Sequence, residues 1–475
     1  MKKWHILEYS IVGVVFVLAA FLLLWNLGGT RLNHWDEAWY AAVSHTMFTT
    51  NNYFTPMWNT APFFEKPPLY YWLTVINFYI FGVSDFSVRL TSAIAGIATL
   101  FVVYQLGKEL GNRHIGIMSV SVLLSSSMFL YRSRTGNLDS LLLFWMTLAL
   151  YSFVKGLKEK PKWFLIMGIS LGLGFLTKGF IAIYLLLVIA IYTFFLKDRQ
   201  FYKREEFLQG LGLAALLIVV WSLLFLQING QEFIRQFLQS NEEKFNLGVQ
   251  TLANLSLTYL GHLKSGMKLW SVVFAVSMAW IFINKKIFVV LLPILYTIIF
   301  FVIMSFSSIK SNWFIMPIYV SIAIITSYGI YTIWGKLTKG RAMWLIVIIF
   351  FGVAVVQIVK YKHEYFTPDV ARDDAQVALY IKDKTKTNEN IYLTNYYYPS
   401  IVYYAQRKVY AVYSDNEKND SWWILPRNAW NTILKKQSVM IITTKQELDL
   451  LRLTYREYMF IPLFSSGEKM VVKKV

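Results

Sequence analysis

Apolar runs long enough to cross a bilayer recur along this chain, and no other feature limits its fold as strongly. About 20 apolar residues span the hydrocarbon core. Such runs fall near residues 6–27, 86–106, 115–131, 140–155, 163–177, 180–196, 207–228, 269–284, 287–306, 312–334 and 342–359. Composition agrees: 56% of the residues are hydrophobic and only 15% charged, where a soluble domain carries roughly a quarter charged. The first run holds Glu8 as its one charge. It has no small-residue cleavage site behind a short apolar core, so it is expected to be a retained span and not a signal peptide. The expected fold class is a polytopic α-helical membrane protein of about eleven spans.

Charge supplies an independent check. The net charge of +19 lies in short clusters between the apolar runs and not on a continuous basic face, so nucleic acid is not an expected partner. Lys2-Lys3, Lys108/Arg113, Lys155/Lys158/Lys160/Lys162, Lys197/Arg199/Lys203/Arg204, Lys285-Lys286 and Lys336/Lys339/Arg341 all fall on one side of the expected topology. The positive-inside rule makes that side the cytoplasm. The N-terminus is then cytoplasmic, the tail is outside, and the compartment is the plasma membrane. The chain has no cysteine, which removes disulfides, thiolate metal sites and a cysteine nucleophile. Its few histidines form no spaced cluster, so no metal site is expected, and a divalent cation is left open.

The other side receives two long loops, 28–85 and 229–268, the turns 132–139 and 307–311, and the tail after 360. The tail has no span-length run. Alternating segments at Asn390–Thr394, Lys408–Tyr413 and Ser438–Thr443 predict strands, and Asp369–Lys384 and Lys445–Tyr455 predict helices. A small extracytoplasmic α/β domain over 360–475 is expected beside a membrane domain over 1–359. In the first loop, Asp36–Phe48 and Pro68–Phe81 predict two interfacial helices rich in Trp and Tyr. Pro67-Pro68 stiffens the chain that enters the second.

Asp36 and Glu37 admit two readings. Acids in a first helical turn gain about 0.3–1 kcal/mol from the helix dipole. A carboxylate at the membrane boundary beside Trp35 and Trp39 can also hold its proton more tightly and act as a general base. Glu65 and Lys66 divide similarly, into a snorkelling interfacial pair or a substrate clamp.

The segment His34-Trp-Asp36-Glu37-Ala-Trp-Tyr40-Ala, then Phe64-Glu65-Lys66-Pro67-Pro68-Leu-Tyr-Tyr-Trp72-Leu, then Phe81-Gly82 through Arg89-Leu90, resembles the GT-C class of glycosyltransferases. The likeness is to the group of the lipid A aminoarabinose transferases and, more distantly, the protein O-mannosyltransferases. It continues at Arg134 to Asp139, at Leu176-Thr-Lys178-Gly179 and at Ser305 to Pro317, and fades in the tail.

The resemblance implies inverting transfer of a sugar from a polyprenyl phosphate to a lipid, glycan or protein acceptor on the outer face. It implies Asp36 as the base that takes the acceptor's proton. Glu37, Tyr40, Glu65, Lys66, Arg134, Asp139, Lys178 and Lys310 are implied as substrate-binding residues, the basic ones facing the leaving phosphate. Arg134 and Asp139 could instead pair with each other, and Lys178 and Lys310 could simply snorkel. Trp39 stands where the aminoarabinose transferases carry an Arg, Trp313-Phe314 where they carry a His-Tyr pair, and Phe63 where they carry a tyrosine. These departures leave the sugar and the acceptor open. The competing class is a transporter or flippase of a lipid-linked saccharide. Charges gathered in loops and the lack of an internal repeat argue against it.

Overall fold

The computed structural model describes residues 2–196, 199–245, 252–307, 309–366, 369–413 and 421–475. Lys197 of the expected cytoplasmic clusters and residues 246–251 of the 229–268 loop lie outside them. Contacts divide the chain into two compact units. One comprises Met1–Leu27, Phe64–Leu73 and Arg89–Phe366, and the other Gly28–Phe63, Thr74–Val88 and Thr367–Val475.

The first unit is helical. Among the described residues, seven helical segments are long and apolar enough to span a bilayer, and up to nine if two sharply bent pairs each count as one span. The segments expected at 163–177 and 180–196 run as one stretch, Trp163–Thr193, joined through a 3-10 turn at Gly179–Ile183. The run at 115–131 is broken instead: Arg113–Leu124 and Ser127–Arg134 meet at 70°. Ser125 and Ser126 sit at the break, and their hydroxyls donate back to the carbonyls of Ser121 (2.7 Å) and Leu123 (2.8 Å). Such back-bonding competes with the regular ladder and bends helices. The helices Trp163–Lys178 and Glu205–Phe245 touch backbone to backbone, because a Cβ on Gly168 would collide with the carbonyl of Gly210. Small residues allow this approach where lipid gives no hydrophobic drive between helices.

Charge marks the two ends of one span. Leu138–Lys158 starts at Asn137, whose side-chain oxygen accepts from the N–H groups of Asp139 (2.9 Å) and Ser140 (3.3 Å). Near its far end, about 24 Å along the axis from Asp139, Lys155 pairs with Glu109 (3.4 Å) and Glu159.

The second unit is built on a six-stranded sheet. Its strands are β1 (Asn390–Thr394), β2 (Lys408–Tyr413), β3 (Ile424–Pro426), β4 (Val439–Thr444), β5 (Phe460–Ser466) and β6 (Lys469–Lys474), in the order β3-β2-β1-β4-β6-β5. The first four are parallel, and β6 and β5 add antiparallel. Ile391 to Thr394 are all buried, as expected of a parallel strand covered on both faces. Helices Arg372–Lys384, Pro399–Ala405 and Lys445–Thr454 complete the α/β fold. The predicted strands at 390–394, 408–413 and 438–443 and the two predicted tail helices are therefore present within a few residues.

The loop joins this sheet. The helix Asp36–Thr50 packs on Pro399–Ala405. Tyr404 donates its hydroxyl to Asp85 (2.9 Å) and accepts the Leu32 N–H (2.8 Å). Asn59 closes a two-way bridge with the backbone of Val409, at 2.8 and 2.9 Å. Buried polar groups of this kind need a partner, and here the tail supplies the partners of the loop.

Candidate functional site

Among the candidate side chains of the helical unit, Lys178 meets Asp139 directly and Lys66 lies near enough to act on Lys178. Asp139 is 5% exposed, and its two carboxylate oxygens accept from Arg132 and from Lys178, both under a tenth exposed. Two helix ends deliver the pair of charges. Asp139 sits in the first turn of Leu138–Lys158, and Lys178 is the last residue of Trp163–Lys178. Gly179 follows with φ +74°, a conformation that glycine adopts at little cost. It turns the chain immediately after the lysine.

The cluster carries two cations for one carboxylate. The guanidinium of Arg132 lies 4.7 Å from the ring centre of Trp313, and Nζ of Lys178 lies 5.1 Å from that of Phe314. The aromatic pair at 313–314 therefore covers the cations with ring faces, which attract positive charge. The positive charge of Lys66 also bears on Lys178. Lys66 is itself largely buried, 3.5 Å from the carboxylate of Glu65. The Glu65 carbonyl accepts from Ser240 (3.2 Å), and the Phe64 N–H donates to Gln236 (3.0 Å). These bonds tie the Glu65-Lys66 segment to the long helix after residue 205.

Arg134 is placed differently. It donates to the backbone carbonyls of Leu22 and Trp25, the latter at 2.9 Å, and its guanidinium lies 4.4 Å from the Phe366 ring. The Arg134–Asp139 pairing weighed from the sequence does not form, and Arg132 takes that place. Sequence reasoning missed Arg132. Residues two apart on a helix point about 200° apart, so only one of the two arginines on Ser127–Arg134 can face Asp139, and spacing alone does not say which. Lys310 lies away from the span interiors. Its ammonium donates to the Ser305 carbonyl (2.6 Å) and sits 5.6 Å from the Tyr259 ring. Partial burial lowers its proton affinity.

The other candidates belong to the second unit. Asp36 and Glu37 occupy the first turn of Asp36–Thr50, where no side chain caps the helix at Trp35. Glu37 is 3% exposed and accepts the Asn33 N–H at 2.8 Å, so its carboxylate closes the turn leading into the helix. Asp36 is half-buried and Tyr40 buried. Just before them His34 stacks on Tyr398 (4.2 Å) and contacts Asp374 (3.2 Å) and Ser400 (3.3 Å). Burial holds the His34 ring below its ordinary proton affinity despite Asp374, and burial raises Asp374. Trp39 and Phe63 pack together at 5.3 Å, with Trp58 4.8 Å from Trp39. In the tyrosine run, Tyr397 is buried against Trp423 (5.7 Å) and Tyr396 lies under the Lys469 ammonium (3.4 Å). These rings serve packing. Among the described residues no three His, Asp or Glu side chains come together as a ligand set for a cation.

Comparison with known proteins matches residues 65–224 to the family described as dolichyl-phosphate-mannose-protein mannosyltransferase. The undecaprenyl phosphate-alpha-4-amino-4-deoxy-L-arabinose arabinosyl transferase of Wigglesworthia glossinidia brevipalpis is 32% identical over 188 residues, 38% of this chain and 33% of that protein. The enzyme of the same name from Shewanella sediminis is 25% identical over 346 residues, 72% of this chain and 63% of that protein. The chain thus spans about a third to three fifths of these curated relatives. In fold it is similar to ArnT from Cupriavidus metallidurans, crystallised bound to undecaprenyl phosphate, with TM-score 0.79 and 18% identity over 100% of this chain and 98% of that one. The archaeal oligosaccharyltransferase AglB from Archaeoglobus fulgidus aligns with TM-score 0.57 and 14% identity, over 99% of this chain and 74% of that one. The chain resembles GT-C glycosyltransferases of the aminoarabinose transferase and O-mannosyltransferase group, in sequence over up to 72% of its length and in fold throughout.

Proposed function

We propose that this chain transfers a sugar from a polyprenyl-phosphate donor to an acceptor hydroxyl at the outer face of the plasma membrane, with inversion at the anomeric carbon. The observation that carries this reading is the buried cluster of Arg132, Lys178 and Lys66, which meets the carboxylates of Asp139 and Glu65. Buried charge is costly unless compensated. A buried cationic cluster at the end of apolar spans suits a phosphate joined to a hydrocarbon chain. Charged residues at span ends, with Asp139 and Lys155 at opposite ends of one helix, do not supply the mid-span path that a transporter would use.

In the reaction the acceptor oxygen forms a bond to the anomeric carbon as its proton passes to a carboxylate. The bond from that carbon to the phosphate oxygen breaks, and the electron pair leaves with the polyprenyl phosphate. Preorganised cations stabilise the charge that develops there, the role proposed for Arg132, Lys178 and Lys66. Asp36 is the proposed base, the role that the resemblance implies for its position; Glu37 beside it is buried and accepts the Asn33 N–H. Glu37, Tyr40, Glu65, Arg134 and Lys310 are proposed as further contacts to the donor or the acceptor. The chain is proposed to leave the membrane near residue 360, with the tail outside and the N-terminus in the cytoplasm. Membrane lipids surround the donor, and a glycan, a lipid or a protein is the acceptor.

Purified protein given a radiolabelled polyprenyl-phosphate sugar and cell-envelope acceptors is expected to transfer label. Native mass spectrometry is expected to find polyprenyl phosphate bound. A protein that binds no polyprenyl phosphate and transfers no label from any such donor would overturn the reading.

A further inference from the structure

The sheet-bearing unit contains a cavity of about 400 Å³ that the transferase chemistry does not use. Residues His45, Thr46 and Thr49 of the helix Asp36–Thr50 form one wall, and Asn388, Asn390 and Lys408 lie across from them. His45 follows Asp36 by nine residues, about 13.5 Å along the helix axis, so the cavity is distinct from the proposed base. Its polar groups are numerous, and none of its lining residues is acidic.

The cations of this cavity lack acidic partners among the described residues. Arg407 gives its guanidinium to the carbonyls of Thr385 (2.6 Å) and Lys382 (2.9 Å) and to the Thr385 hydroxyl (3.2 Å). The Lys408 ammonium rests over the rings of Trp422 (5.1 Å) and Tyr410 (5.4 Å). Asn388 is exposed, and its amide makes no intramolecular hydrogen bond among the described residues. A second cavity of about 380 Å³, which Tyr403 and Gln406 also line, holds Lys382 and an Arg31 that is paired with Asp85 at 3.4 Å. Amides and hydroxyls match the alternating donors and acceptors of sugar hydroxyls. Uncompensated cations favour a negative charge on the same ligand.

We propose that this cavity binds a saccharide bearing carboxylate or phosphate groups, held by the Asn388 and Asn390 amides and the Lys408 ammonium. The site stands independently of the transferase reading, because it is tested by binding without turnover.

The test uses the full chain in detergent micelles and isothermal titration with trigalacturonate, with maltotriose as the neutral trisaccharide and citrate as an anion without a sugar. Trigalacturonate is expected to bind more than about tenfold more tightly than maltotriose. Lys408→Gln is expected to weaken it about tenfold and Asn388→Ala about fivefold, the sizes of one charged and one neutral hydrogen bond. Both variants are checked for an unchanged melting temperature. Three results would each overturn the proposal: no trigalacturonate binding, citrate binding as tightly as trigalacturonate, or folded variants that bind as the parent does.

Discussion

The two units treat buried charge in opposite ways. In the helical unit, Arg132, Lys178 and Asp139 are under a tenth exposed and meet in direct ion pairs. In the sheet-bearing unit, the buried titratable groups near the loop are relieved mainly by neutral means. His34 stacks on a tyrosine, His45 shares a 2.9 Å hydrogen bond with Gln406, and Asp85 receives the Tyr404 hydroxyl beside a 3.4 Å pair with the more exposed Arg31. The difference separates two tasks. On the proposed function, cations held in place prepare a site for an anion, whereas charges quieted by hydrogen bonds and rings fix a helix. The loop over 28–85 is divided between them: Glu65 and Lys66 join the helical unit, while Asp36 joins the sheet-bearing one.

The comparison can be tested from its largest expected effect downward. Asp36→Asn is expected to lower the rate of sugar transfer by about 10²- to 10⁴-fold, the range for losing a general base, with an unchanged melting temperature. Glu37→Gln is expected to reverse that pattern, lowering the melting temperature more than the rate. Transfer that survives Asp36→Asn would remove that residue from the chemistry.

Asp139→Asn removes the carboxylate that two buried cations share. It is expected to cost about 3–5 kcal/mol of stability, read by thermal unfolding in detergent, and added polyprenyl phosphate should restore part of it. A stability unchanged by this variant would mean that the cluster is solvated and the contrast between the units is false.

The pH dependence of the sheet-bearing unit gives the next test. Burial, helped by the charge of Lys382, depresses His45 from 6.5 to about 4. With the folded value below the unfolded one, the unfolded chain binds more protons between these limits, so stability falls as pH drops through that window. At 1.36 kcal/mol per pH unit, up to ~3 kcal/mol is expected to be lost between pH 7 and pH 4. His45→Gln should flatten that part of the curve in circular dichroism melts, and an equally steep loss in the variant would assign the effect elsewhere.

Smallest, Arg132→Gln is expected to weaken polyprenyl-phosphate binding about tenfold, near the lower end for a charge-assisted hydrogen bond. Arg134→Gln should change that affinity little, since its guanidinium is held by backbone carbonyls. Equal losses in both variants would show that the cluster does not discriminate between the two arginines.

Much of this was legible in the chain because it depends on local pattern. Hydrophobic length marked the helical membrane region, though not its count, since seven to nine candidate spans stand among the described residues where eleven were expected; the helices at 36–50 and 69–81 and strands β1, β2 and β4 follow from periodicity and side-chain type. Asp139, Lys178 and Lys66 stood out as charges at the edges of apolar runs. Only tertiary structure decided that Arg132 and not Arg134 meets Asp139, since that choice depends on the helix phase after the break at Ser125-Ser126. It also decided that Trp313 and Phe314 cover those cations, and that one loop contributes to two units. Periodicity reports which face of a segment is apolar. It does not report which of several distant segments that face will meet, because that is set by packing among all of them at once.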